Sequence, residues 1–222
     1  SHSVSIAFVA WLLGLDPTRR IICTSYGQDL ADKLSRDCRS LMMSPFYRTL
    51  FSHTVLSRDK QSVSEFVTTQ QGYRLATSVG GVLTGRGADM IILDDPLKPD
   101  EALSESRRKN VNEWYDNTLV TRLDNKNTCC IIVVMQRLHQ DDLVGHLLEQ
   151  GEWEVLSFPA IADKDETRVI ETHWGSKTYQ RKGGGPRGPQ RGPRGGASSC
   201  PRRYWGAATG RRRGRNGESS PR

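Results

Sequence analysis

Two unbroken apolar runs, Met90-Ile-Ile-Leu93 and Cys130-Ile-Ile-Val-Val134, constrain this chain more than any other feature. Runs rich in β-branched residues, with no polar alternation, read as strands buried on both faces of a parallel sheet. Their surroundings agree with that reading. Val4, Ala7, Phe8, Trp11, Leu12 and Leu15 recur at helical spacing until Gly14 and Pro17 stop the pattern. Residues 19–24 form a short strand-like run, and Leu30, Ala31, Leu34, Cys38, Leu41 and Met42 mark a second amphipathic helix. Residues 62–69 alternate as a half-buried strand does (Val63, Glu65, Val67), with residues 72–77 as the expected partner. Val111, Trp114, Tyr115, Thr118 and Leu119 trace a third helix, and Leu143, Val144, Leu147 and Leu148 a short fourth one beginning near Asp141. The apolar strands are expected over 88–93 and 128–135, with one more over 153–158. Strands alternating with helices predict an α/β domain with a mostly parallel central sheet flanked by helices.

Charge separates this body from the end of the chain. The 222 residues carry a formal net charge of +7. Residues 181–222 hold eleven Arg and Lys182 against Glu218 alone, a net of +11, so residues 1–180 stand at −4. The basic character therefore belongs to the tail, and the body is mildly acidic. From Gly183 onward Gly, Arg and Pro dominate without periodicity, a composition expected to be disordered. Cys23, Cys38, Cys129, Cys130 and Cys200 are odd in number and show no CxxC spacing. Buried, reduced thiols are expected, with Cys23, Cys129 and Cys130 lying in apolar runs. No charged segment precedes an apolar one in the manner of a signal peptide, and no uncharged apolar stretch reaches the ~18 residues of a membrane span. Helix-like sequence is already under way at Ser3, so further sequence ahead of Ser1 is expected.

The chemistry concentrates at strand ends. Met90-Ile-Ile-Leu-Asp-Asp95 is an apolar strand running into two carboxylates, the Walker B arrangement. In that arrangement Asp94 at the strand tip serves Mg²⁺ and Asp95 orients or deprotonates an attacking water. A solvated Asp-Asp-Pro turn is the plainer alternative. The glycine-rich stretch 78–89 fits a dinucleotide fingerprint poorly, because no helix follows it. Arg86 within it is a candidate arginine finger or DNA phosphate contact, against a simple surface arginine. The run 128–135 would deliver Gln136 and Arg137 to the same sheet edge, where doubly wound sheets bind ligands. His139, Asp141, Asp142 and His146 could suggest a metal site, but Asp141 or Asp142 capping the following helix explains the acids more simply.

Five phrases in order carry a resemblance: Ala10-Trp-Leu-Leu-Gly-Leu-Asp-Pro17, Ser25-Tyr-Gly-Gln-Asp-Leu-Ala-Asp32, Thr84-Gly-Arg-Gly-Ala-Asp89, Ile92-Leu-Asp-Asp-Pro-Leu-Lys98 and Gln136-Arg-Leu-His-Gln-Asp-Asp-Leu143. Over residues 1–175 the chain resembles the large terminase subunit of tailed phages and prophages. The resemblance implies an ASCE-type P-loop ATPase that threads double-stranded DNA into a procapsid as a homo-oligomeric ring in the host cytoplasm. ATP and Mg²⁺ are the implied cofactors, and a small terminase subunit and a portal protein the implied partners. It places Asp94 on Mg²⁺, Asp95 in the catalytic acid position and Gln136 and Arg137 in the coupling motif. Many relatives carry Glu where Asp95 stands. Ser1 would be the Mg²⁺-ligating hydroxyl residue after the Walker A lysine, since no GxxxxGKS or GxxxxGKT occurs in the 222 residues. The ATPase portion is expected over 1–178 and a Gly/Arg/Pro-rich tail over 179–222, read as an out-of-frame translation against an authentic segment that grips nucleic acid; the family's two-metal nuclease domain is absent from this sequence. Two alternatives stay open: another P-loop DNA-dependent ATPase of helicase type, or a remnant that binds nucleic acid only through its tail.

Overall fold

The computed structural model describes residues 1–83, 85–125, 129–151, 153–156, 162–172 and 175–184. Thr84, Thr128, Phe158, Trp174, Cys200 and the Gly/Arg/Pro tail beyond 184 lie outside the described residues, as does the disorder expected of that tail. Two compact units divide at Trp153/Glu154.

The first unit is α/β. Its six-stranded sheet runs β2-β3-β4-β1-β5-β6, with β1 at Arg20–Ser25, β2 at Leu56–Gln61, β3 at Glu65–Thr68, β4 at Tyr73–Ser78, β5 at Met90–Asp94 and β6 at Cys130–Val134. The strands β4, β1, β5 and β6 are parallel, and β3 and β2 add antiparallel at one edge. A π-type helical turn, His2–Phe8, continues into α1, Val9–Leu15. Helix α2 spans Gln28–Met43, α3 Pro45–Leu50, α4 Glu105–Trp114 and α5 Leu143–Gln150. One face of the sheet packs Ile21, Cys23, Phe66, Met90 and Ile92 against Val9, Leu13, Leu34, Cys38 and Met42 of α1 and α2. The other packs Ile22, Ile91 and Leu93 against Val111, Tyr115, Leu143 and Leu147. Each fully buried Ile or Leu in these layers stabilises the fold by about 1.5–3 kcal/mol relative to exposure. Ile22, Ile91, Ile92 and Leu93 are completely buried, which is why β1 and β5 tolerate no polar alternation.

Several expectations need correction. The run Ile131–Val134 is apolar enough for a strand covered on both faces, yet β6 has β5 on one side only among the described strands and its side chains are half-buried. Residues 62–69 are expected to be half-buried, whereas Phe66, Val67 and Thr68 are all buried: Phe66 packs into the layer beneath α1 and α2, and the Thr68 hydroxyl donates to the Pro17 carbonyl. Residues 153–156 form no strand. Cys23 and Cys38 are buried, but Cys129 is half-buried and Cys130 exposed, because both sit at the outer start of β6. No helix among the described residues is long and apolar enough to cross a membrane.

The second unit contains an antiparallel hairpin of β7, Glu166–Thr172, and β8, Gly175–Arg181. The boundary expected at 178/179 falls within β8. Gly183 donates its amide to the Asp165 carboxylate at 2.8 Å, and Gly184 donates to the Ala162 carbonyl at 2.8 Å, closing the base of the hairpin.

Candidate active site

Parallel strands place their C-terminal ends on one edge, so the chemistry of that edge is set by the residues that terminate β1, β5 and β6. On β5 that residue is Asp94, only 2% exposed and in register with Val134 of β6. A carboxylate this deep requires hydrogen-bond donors. Two serines supply them: the Ser1 hydroxyl donates to Oδ1 at 3.1 Å, and the Ser5 hydroxyl donates to Oδ2 at 2.5 Å. Ser1 and Ser5 are four residues apart at the start of the first helical segment, so both hydroxyls project from one face onto one strand tip.

Asp95 turns the chain. Its φ is +50°, a left-handed conformation that Asp adopts more readily than most residues. The turn is held from both flanks: the Asp95 amide donates to the Val134 carbonyl at 2.9 Å, and its carbonyl accepts from the Tyr26 amide at 3.0 Å. Burial, and then the neighbouring Asp94 carboxylate, push the Asp95 carboxyl above the usual carboxylate range. Strain and a raised pKa at one residue are features found together at functional sites.

Gln136 follows the end of β6 by two residues, is exposed, and shares the sheet edge with Asp94. Arg137 comes to the same edge but is occupied within its own loop. Its Nε lies 2.9 Å from Asp142 Oδ1, and its Nη2 donates to the carbonyls of His139 at 3.2 Å and Gln140 at 2.9 Å. Asp142 is the N-cap of α5, accepting from the Gly145 amide at 3.0 Å and from the amides of Leu138 and His139. The four polar residues weighed as a metal cluster do not converge: Asp142 is the cap, and His146 Nε2 pairs with Asp116 at 2.8 Å. Among the described residues no group of three or more His, Cys, Asp or Glu is arranged to hold a metal.

Arg86 stands apart from Asp94. It precedes β5, whereas Asp94 ends that strand, and a five-residue strand spans about 13 Å. Its Nη2 pairs with Glu65 Oε2 at 2.6 Å, and its guanidinium lies 5.7 Å from the centre of the Tyr73 ring.

Beside Asp95, a cavity of about 280 Å³ opens between the ends of β1, β4 and β5. Tyr26, Gly80, Leu97, Lys98, Arg107 and Trp114 contribute to its lining, and the Lys98 ammonium lies 5.4 Å over the Tyr26 ring.

The structure thus brings Ser1, Asp94, Asp95 and Gln136 to one edge, with Arg137 beside them and Arg86 ahead of the start of β5. Ser5 was not legible as a site residue. The only signal for it was its four-residue spacing from Ser1, which acquires meaning once Asp94 is known to sit opposite. No family model matches this chain, and no curated protein matches it.

Proposed function

We propose that the first unit is the ATPase portion of a phage DNA-packaging motor of the large terminase type. The observation that carries the reading is the hydrogen bond from Ser1 to Asp94 at the tip of a buried parallel strand. It is the contact expected between the hydroxyl residue that ends a phosphate-binding loop and a Walker B carboxylate.

The residues fit Mg²⁺ as nucleotide enzymes hold it. Such sites use one or two protein oxygens, with phosphates and waters completing the octahedron, so no dedicated carboxylate cage is needed. Ser1 donates its proton to Asp94 and keeps its lone pairs for a cation, and the buried carboxylate supplies the compensating charge. When bound, the ion would neutralise charge on the nucleotide phosphates. Asp95, one residue on, is the candidate to accept a proton from water, and its raised pKa brings it closer to neutrality, where a base is most effective. Gln136 is the candidate contact to the terminal phosphate. Arg137, through Asp142, holds the loop that carries Gln136 and links it to α5.

Arg86 is engaged by Glu65 and Tyr73 and precedes the strand that Asp94 ends, so a finger role for it belongs to the site of a neighbouring copy in a ring.

Hydrolysis of ATP by the gene's complete product tests this. Activity is expected to need Mg²⁺ and to rise with double-stranded DNA. Asp95→Asn is expected to lower kcat by about 100-fold or more while ATP still binds, and Asp94→Asn to abolish the response to Mg²⁺. The 222 residues alone, without a Walker A lysine, are expected to hydrolyse almost nothing. Undiminished turnover in both Asp variants sinks the proposal, and a complete product that hydrolyses no ATP leaves the nucleic-acid-binding remnant.

A further inference from the structure

Both oxygens of one carboxylate are claimed by two hydroxyls of one helical turn, and the tighter contact is the unexpected one. Ser5 is fully buried, and its hydroxyl donates to Asp94 Oδ2 at 2.5 Å, against 3.1 Å for Ser1 on Oδ1. A charge-assisted hydrogen bond to an anion is about twice as strong as a neutral one, and burial removes water as a competing donor. The contact joins residues 89 positions apart, so it is not a by-product of local helix geometry.

We infer that Ser5 is a positioning residue: it fixes the rotamer of Asp94 so that Oδ1 is presented to Ser1, the pair that would hold the divalent cation. This rests on the reading proposed above. Without a donor on Oδ2, the carboxylate is free to rotate about its terminal torsion, which is broad and intrinsically soft. Ser1 alone cannot prevent this, because a single hydrogen bond to one oxygen leaves the plane of the carboxylate undefined. Two donors from positions four apart on one helix define it. The second role is electrostatic. Ser5 satisfies Oδ2, so the buried carboxylate keeps both oxygens hydrogen-bonded without needing a second donor from Ser1. Ser5 touches neither the nucleotide nor the ion in this arrangement; it acts through Asp94.

The inference predicts a defect specific to the metal. Binding of Mn²⁺·ATP and of metal-free ATP in a chelator is to be compared by calorimetry, with electron paramagnetic resonance counting bound Mn²⁺, on the gene's complete product. Ser5→Ala is expected to weaken Mn²⁺·ATP binding about tenfold while leaving metal-free ATP affinity within about twofold. Ser5→Cys, which keeps the volume and weakens the donor, is expected to shift in the same direction and keeps the test available should the alanine variant fold poorly. A merely structural serine would lower thermal stability and affect both forms of the nucleotide equally, and that result overturns the inference. Wild-type affinity for Mn²⁺·ATP in Ser5→Ala, alongside its loss in Asp94→Asn, also overturns it while sparing the ATPase reading. Unaltered binding in Asp94→Asn, or no Mn²⁺·ATP binding by the wild type, removes both.

Discussion

Asp95 costs the fold stability at the position where the proposed mechanism needs a base. Its carboxyl is half-buried beside Asp94 and titrates above the usual carboxylate range. The folded state therefore binds this proton more tightly than the unfolded chain, and the stability linked to it is present at low pH and lost as pH rises through the raised pKa. Above that raised pKa the fold carries an ionised group it disfavours. Asp95→Asn removes that charge and retains a residue that accepts the left-handed backbone. The variant is expected to melt at a higher temperature than wild type at pH 7, with the gap closing as pH falls toward 4; melting curves across that range measure it. Equal shifts at every pH would mean that the carboxyl is not the cause. The position of Asp94 at a strand tip was legible in the sequence, because an apolar run that gives way to two acids marks where the strand stops. Ser5 was not, because its importance depends on a contact with a residue far along the chain.

At the level of elements, legibility followed periodicity. β1, β5 and α2 appeared where their patterns put them: the strands as short runs buried on both faces, the helix through the period that burial of one face leaves. β2 carries Ser57, Arg58 and Asp59 and forms an edge, where little has to be apolar, so no pattern announced it. The half-exposure of β6 was equally hidden: its composition reports what the strand can be covered by, and neighbours are decided by topology. The cap of α5 was readable from local chemistry and brings a firm expectation. Gly145 in its first turn sits where a Cβ would lie 1.9 Å from the Gln140 carbonyl and 3.3 Å from Arg137 Nη2. Replacing glycine by alanine inside a helix ordinarily stabilises by about 1 kcal/mol. Here Gly145→Ala is expected to destabilise by about 2 kcal/mol or more, because the loop that carries Arg137 must move. Urea denaturation reads the sign directly, and stabilisation would show that the 137–142 loop is not held against α5 as described.

For the whole molecule, net charge misleads unless it is divided. Residues 185–222 contain ten Arg and one Glu, a net of +9, so the positive charge of the chain is carried there and not by the α/β unit. Charge of this kind adheres to DNA by releasing counterions, without regard to sequence. Deleting 185–222 is expected to abolish most DNA retention measured at about 50 mM salt, and intact chain is expected to lose it by about 200 mM. Retention that survives the deletion and resists salt would place a DNA-binding surface on the α/β unit itself. The ATPase account depends on something different, the origin of the hydroxyl that Ser1 places on Asp94. The most direct measurement is the coding DNA immediately ahead of Ser1. The account predicts an in-frame glycine-rich phosphate loop ending in Gly-Lys directly before that serine; an upstream frame with no such loop contradicts it.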